Sequence, residues 1–221
     1  MPSCKNYFGK LFAHLAAALA VSAVSAETSN VGATLYGDSS PLLKFLGNLA
    51  ILLGLLFGLH ATKAGSVPKY IIFGAFAFWM GQVVKPYVTR LKDKGTLTRI
   101  LVLTTGVFLG MMALGFYDSM NLLGFGPYLL AGLLGLIAAQ LLLLALGSPE
   151  EKRVGFKALS FFGVALFAAF TAYDVQVLRA GAAACTRLQK KLKIDPDYPV
   201  ESIGLYLDFI NLFQSMGGAD D

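Results

Sequence analysis

Six long stretches of this chain carry no Asp, Glu, Lys or Arg: residues 11–26, 45–62, 70–84, 100–117, 119–149 and 158–173. A helix needs roughly 20 mainly apolar residues to cross about 30 Å of hydrocarbon. Lys and Arg at a helix end snorkel to the interface, so the shorter stretches extend into their charged flanks. Six spanning helices follow directly. A seventh candidate, about 201–218, is short and carries Asp208 near its middle, so it either spans or dips in and returns. Composition agrees, because 56% apolar and 14% charged residues cannot dress a soluble domain in a polar shell. The expected fold is an all-α integral membrane protein, a seven-helix bundle with a short seventh helix. It forms a single transmembrane domain over 1–221, with helices about 8–26, 43–62, 69–86, 99–118, 125–147, 157–179 and 201–217.

The boundaries are written in turn residues. Pro41 suits the first turn of the second helix. Lys85-Pro86 closes the third, in which Gly74 and Gly81 let neighbouring backbones approach. The fourth ends at Asp118, and Gly147-Ser148-Pro149 stops the fifth. Residues 180–200 form the most hydrophilic loop, whose Asp195-Pro196-Asp197-Tyr198-Pro199 run does not suit regular helix. The net charge of +5 sits in the gaps between apolar runs, as at Arg90, Lys92, Lys94 and Arg99. Lipid headgroups rather than nucleic acid are the partners this placement implies. With seven spans, the 18 Lys and Arg divide equally between the two faces, so charge does not orient the protein. The first 26 residues also fit a secretory signal peptide, with Lys5 and Lys10 before an apolar core. Cys4, in the N-terminal tail, and Cys185, in a hydrophilic loop, show no CxxC spacing and indicate neither a metal site nor a disulfide framework.

Two carboxyls stand out. An ionised carboxylate at mid-membrane costs roughly 2.5–3.5 kcal/mol on insertion scales, so such groups face protein or a cavity and do something there. Asp174 lies toward the far end of the sixth helix, and Asp208 lies on the seventh. Gly204, Asp208, Asn211 and Ser215 recur at spacings of four, three and four, which puts them on one face. If the two carboxyls meet, like charge and burial both oppose double ionisation and the pair can share a proton. That makes a proton-responsive switch. Deprotonated, the same oxygens attract a hard cation such as Ca²⁺, which takes six to eight oxygen ligands. Asp174 and Asp208, with Thr171, Gln176 and Asn211 in support, supply too few for storage, so calcium binding here is weak and transient. No tightly bound cofactor is expected, and calcium enters as the transported ion.

Tyr173-Asp174-Val175-Gln176, followed by Asp197-Tyr198 and then Leu205-Tyr-Leu-Asp-Phe-Ile-Asn-Leu-Phe213, closely resembles the signature of the transmembrane Bax inhibitor motif family. Gly74-Ala-Phe-Ala-Phe78 with Gly81 and Pro86 is similar to the family's third helix, and 7–26 to its first. The resemblance implies a retained first helix and a seven-helix bundle with the last helix central. It also implies a pH-sensitive calcium leak, and its eukaryotic members are linked to suppression of cell death. Such a protein belongs to the endoplasmic reticulum or another endomembrane in a eukaryote and to the cytoplasmic membrane in a bacterium. Three departures are visible. Calcium-leak members carry an arginine at the end of the second helix that can partner the helix-six aspartate, where this chain has His60, a residue that titrates near neutrality. The loop between the aspartates is longer than the family's. The closing Gly217-Gly-Ala-Asp-Asp221 lacks the lysine-rich tail of some animal members.

An intramembrane aspartyl protease also places Tyr-Asp on one helix and Asp on the next. It needs Gly-x-Gly-Asp at the second aspartate, however, where this chain has Leu205-Tyr206-Leu207-Asp208, so an enzyme is not expected. The competing non-enzymatic reading is a membrane scaffold that binds and regulates other membrane proteins without conducting ions.

Overall fold

A backbone in hydrocarbon must satisfy its own N–H and C=O groups, and a helix does so within one segment. The computed structural model describes residues 4–117, 121–193 and 195–220, and its regular elements there are helical. They are α1 (Tyr7–Thr28), α2 (Val31–Tyr36), α3 (Pro41–Ala61), α4 (Val67–Asp93), α5 (Leu97–Gly115), a 3₁₀ turn (Leu123–Phe125), α6 (Gly126–Leu146), α7 (Pro149–Leu192) and α8 (Tyr198–Ala219). Six segments are long and apolar enough to cross a membrane: α1, α3, α4, α5, Leu123–Leu146 and α7. The count therefore departs from the seven expected, since eight α-helices are seen among the described residues. The six-residue α2 is additional. The last helix is not short but 22 residues long, and it falls outside the apolar set.

Local chemistry explains the boundaries. Ser40 Oγ accepts a hydrogen bond from Leu43 N, with Pro41 in the first turn, so α3 starts as expected. Pro86 does not close α4, which continues to Asp93. A membrane helix tolerates proline because neighbouring groups re-satisfy the backbone it frees. The stop comes at Gly95, whose φ of 67° is left-handed; Thr96 N donates to Leu91 O at 2.9 Å, the long bond of a Schellman cap. The expected end of the fourth helix at Asp118 lies outside the described residues. α6 ends before Gly147, but the next helix restarts at once. Ser148 N donates to Glu151 Oε2 and Glu151 N to Ser148 Oγ, a reciprocal capping box. The chain expected to leave helix at 179 continues to Leu192, so α7 is about 66 Å long, twice the hydrocarbon thickness. Residues 180–192 are thus helix rather than loop, because Ala, Leu, Lys, Arg and Gln, which make up most of the run, are good helix formers. Tyr198 and Pro199 also belong to helix, proline being harmless in a first turn.

The chain forms two compact units, Met1–Pro86 with Leu178–Tyr206, and Tyr87–Val177 with Leu207–Asp221. In the first, α1 packs closely on α4. A Cβ on Gly81 would lie 2.7 Å from Ser25 Cβ, whereas one on Gly74 would meet nothing within 4 Å, so only the first of these glycines serves close approach. Around that crossing, Ser22 Oγ lies 2.6 Å from the Tyr206 hydroxyl, and Ser25 Oγ donates to Phe78 O. Gln82 Nε2 donates to Ser25 O, and its Oε1 accepts from Gly32 N, which ties α2 to α4. Lys69, 1% exposed, forms an ion pair with Asp197, whose main-chain oxygen accepts the bond from Glu201 N that begins α8.

The same unit holds a correction. Cys4 and Cys185 form a disulfide, with Cα atoms 5.9 Å apart. Their separation of 181 residues concealed it, because nothing local in the sequence marks two positions that helix packing brings together. In the second unit, Leu91, Ile100 and Phe213 form a core with Val88, Leu97 and Met216 packed against it. Phe209 meets Phe108 of α5 edge-on, and Gly115 of α5 lies against Ala172 O and Val175 of α7.

Two tests follow from this packing. Gly74→Ala should leave thermal stability in detergent unchanged or raised by up to about 1 kcal/mol, from helix propensity alone. Gly81→Ala should lower it by roughly 1–3 kcal/mol through overpacking. Lys69→Met, which leaves the quarter-exposed Asp197 carboxylate without its partner, should cost roughly 1–2 kcal/mol. Adding Asp197→Asn, which keeps a capping side chain without the charge, should recover most of that loss. Equal unfolding temperatures for Lys69→Met and the parent chain would show that the pair contributes nothing.

Candidate functional site

Small residues set the geometry of the two aspartate-bearing helices. Gly163 of α7 faces Ser215 of α8, where an added Cβ would sit 3.2 Å from Ser215 Cβ. Gly218 of α8 in turn faces Ser160 of α7 with the same 3.2 Å spacing. As one number falls by three the other rises by three, so the helices run antiparallel in fixed register. Continued along the pair, that register places Asp208 level with Phe170, one helical turn from Asp174, or about 6 Å along the axis. The carboxyls accordingly lie within electrostatic reach of each other.

Asp208 is 5% exposed, and its Oδ2 has no hydrogen-bond partner among the described residues. Asp174 is half-buried. Burying an unpartnered polar oxygen costs on the order of 1–3 kcal/mol. No residue of α8 is exposed. Leu205 and Leu212, off the polar stripe, are as fully buried as Asp208 on it, so the stripe does not by itself separate a buried face from a lipid face.

The supporting residues divide by what they bond. Thr171 Oγ1 donates to Phe167 O one turn back on its own helix. Gln176 Oε1 accepts from Leu122 N at 2.7 Å, which fixes the backbone just before the 3₁₀ turn. Tyr173, three residues earlier, brings its hydroxyl against Gly126 at the start of α6, where an added Cβ would lie 2.6 Å away. Asp174 thus sits on a stretch of α7 whose neighbours brace the segment leading into α6. Sequence reasoning grouped Gln176 with the carboxyls and missed this bracing. Asn211 is half-buried on α8. His60 is exposed at the end of α3, and its Nδ1 lies 2.8 Å from Leu56 O of its own helix. No group of three His, Cys, Asp or Glu able to hold a metal occurs among the described residues.

The positions to which sequence reasoning gave no role of their own are Tyr206, Ser22, Lys69 and Asp197. Each joins helices far apart in the chain. Tyr206 and Asp197 lie within the family-like signature, and Asp197 is also a capping residue type just before an apolar run; Ser22 and Lys69 carried no signal.

Comparison with known proteins gives the chain's family. Residues 4–217 match the family model described as "Inhibitor of apoptosis-promoting Bax1". An uncharacterized protein of Borreliella burgdorferi is 30% identical over 221 residues, covering 95% of this chain and 89% of that protein. Inner membrane protein YbhL of Escherichia coli is 36% identical over 114 residues, 51% of this chain and 46% of its own. Protein lifeguard 4 of Mus musculus is 30% identical over 169 residues, 76% and 62% respectively. A match across nearly the whole chain, on a scaffold of six membrane-length helices, leads to one conclusion: this integral membrane protein belongs to the Bax inhibitor family.

Proposed function

We propose that this chain is a pH-sensitive calcium leak channel or transporter in which Asp174 and Asp208 act together as proton sensor and gate. The observation that carries the proposal is the buried, unpartnered Oδ2 of Asp208 within electrostatic reach of a second carboxyl. A pair that shares a proton can hold its helices together with one hydrogen bond. A pair that loses the proton repels, and its oxygens become an attractive station for a hard cation. Two carboxylates hold Ca²⁺ too weakly to sequester it, which suits passage. Membership of a family that includes an inner membrane protein in a bacterium supports a membrane site of action but not the transported ion. No chemistry on a substrate is proposed. His60, exposed and bonded to its own helix, is assigned to the membrane interface.

The test is calcium flux into liposomes holding the purified chain, measured across pH. Asp174→Asn and Asp208→Asn should each remove most of the pH dependence while the protein remains folded. The double variant should differ from Asp208→Asn by less than about threefold, because interacting residues are not additive. Unchanged flux and pH profile in both single variants would overturn the assignment of sensor and gate. Absence of calcium flux from the folded parent chain would leave the scaffold reading instead.

A further inference from the structure

We propose that Cys4 and Cys185 form a thiol–disulfide exchange site, open to low-molecular-weight thiols and disulfides of the glutathione type, whose oxidised form fastens the segment leading into α8. The inference does not depend on ion conduction.

Both cysteines lie outside the uncharged stretches, Cys4 ahead of α1 and Cys185 in the polar last turns of α7, so a water-soluble thiol can reach their end of the unit. The two sulfurs are unequal. Cys185 is 5% exposed, while Cys4 is half-buried, which makes Cys4 Sγ the accessible point of attack. An incoming thiolate bonds to Cys4 Sγ, the disulfide breaks, and its electron pair leaves on Cys185, which takes a proton from water. A second thiolate attacks the outer sulfur of the mixed disulfide, which releases Cys4 as thiolate and the small molecule as its own disulfide. Two small thiols are oxidised and one protein disulfide is reduced; the reverse sequence re-forms the bond.

The geometry supplies both a resting place for the reduced form and a route by which the redox state is felt. Gln189, one turn beyond Cys185, places its Oε1 3.5 Å from Cys4 Sγ, an acceptor ready for a Cys4 thiol proton. The Nε2 of the same side chain donates to Asp195 Oδ1 at 3.0 Å. Two residues on, Asp197 holds Lys69 and accepts the first backbone bond of α8. Disulfide, Gln189, Asp195 and Asp197 therefore form one run of contacts from the N-terminal segment to the start of α8. With the bond closed, Cys4 is tied covalently to α7 one turn before Gln189, whose Nε2 holds Asp195. With it open, that covalent tie is lost.

The experiment equilibrates the purified full chain in detergent with reduced and oxidised glutathione at graded ratios. It counts free thiols by the gel shift of a maleimide-coupled polymer and measures amide hydrogen exchange over 195–201. The expected result is a reversible change from no free thiols to two. Exchange at 195–201 should be at least threefold faster in the reduced chain and in Cys4→Ser, with α3, α5 and α6 unchanged. Gln189→Ala should speed the same amides in the oxidised chain without altering the thiol count. The proposal is overturned by a bond that yields only when the protein unfolds, by two free thiols at every ratio, or by equal exchange at 195–201 in both redox states. The reduced parent chain carries the test should Cys4→Ser fail to fold.

Discussion

A helix that carries Asp208, Asn211, Gln214 and Ser215 cannot lie against hydrocarbon, and this single constraint organises its surroundings. Lipid offers no hydrogen bonds and no dielectric relief, so each of these groups would cost several kcal/mol if exposed there. The helix falls outside the segments apolar enough to cross alone and has no exposed residue along its 22. Apolar helices can be left at the lipid boundary. α3 and the Leu123–Leu146 segment bury only 6% of their most apolar windows, because a leucine in lipid needs no protein partner.

What holds such helices together is contact rather than hydrophobic collapse, since lipid tails are as apolar as leucine. Close crossings are accordingly built on glycine, three of them against serine: Gly81 against Ser25, Gly163 against Ser215, Gly218 against Ser160. These contacts do more than cohere. The paired glycine–serine contacts of α7 and α8 fix a register, and the register brings Asp208 to within one turn of Asp174. The proximity of the carboxyls is thus a consequence of small residues 7 to 14 positions away in sequence, none of which carries chemistry.

The aqueous end of the first unit uses a different set of forces. There a buried lysine, a capping aspartate and a disulfide add to the packing of Tyr7, Leu11 and Tyr198.

Much of this was legible from residue order. The lack of charge over six stretches determined that the chain lives in lipid and is helical, and the rarity of carboxyls within apolar helices picked out Asp174 and Asp208. Element ends read well where a capping group sits beside them, as at Ser40 and Pro41, and poorly after Arg179, where a hydrophilic run rich in Ala, Lys, Arg and Leu continues the helix in water. Hydrophobicity, charge and capping act over a few neighbouring residues, which is why sequence alone determined these features. The meeting of Cys4 with Cys185, of Lys69 with Asp197, of Tyr206 with Ser22 and of Gln176 with Leu122 N was decided only by the tertiary structure. Each joins positions 54 to 184 residues apart, and at that distance the partner is chosen by how helices cross and in what register, which no local property of the chain encodes.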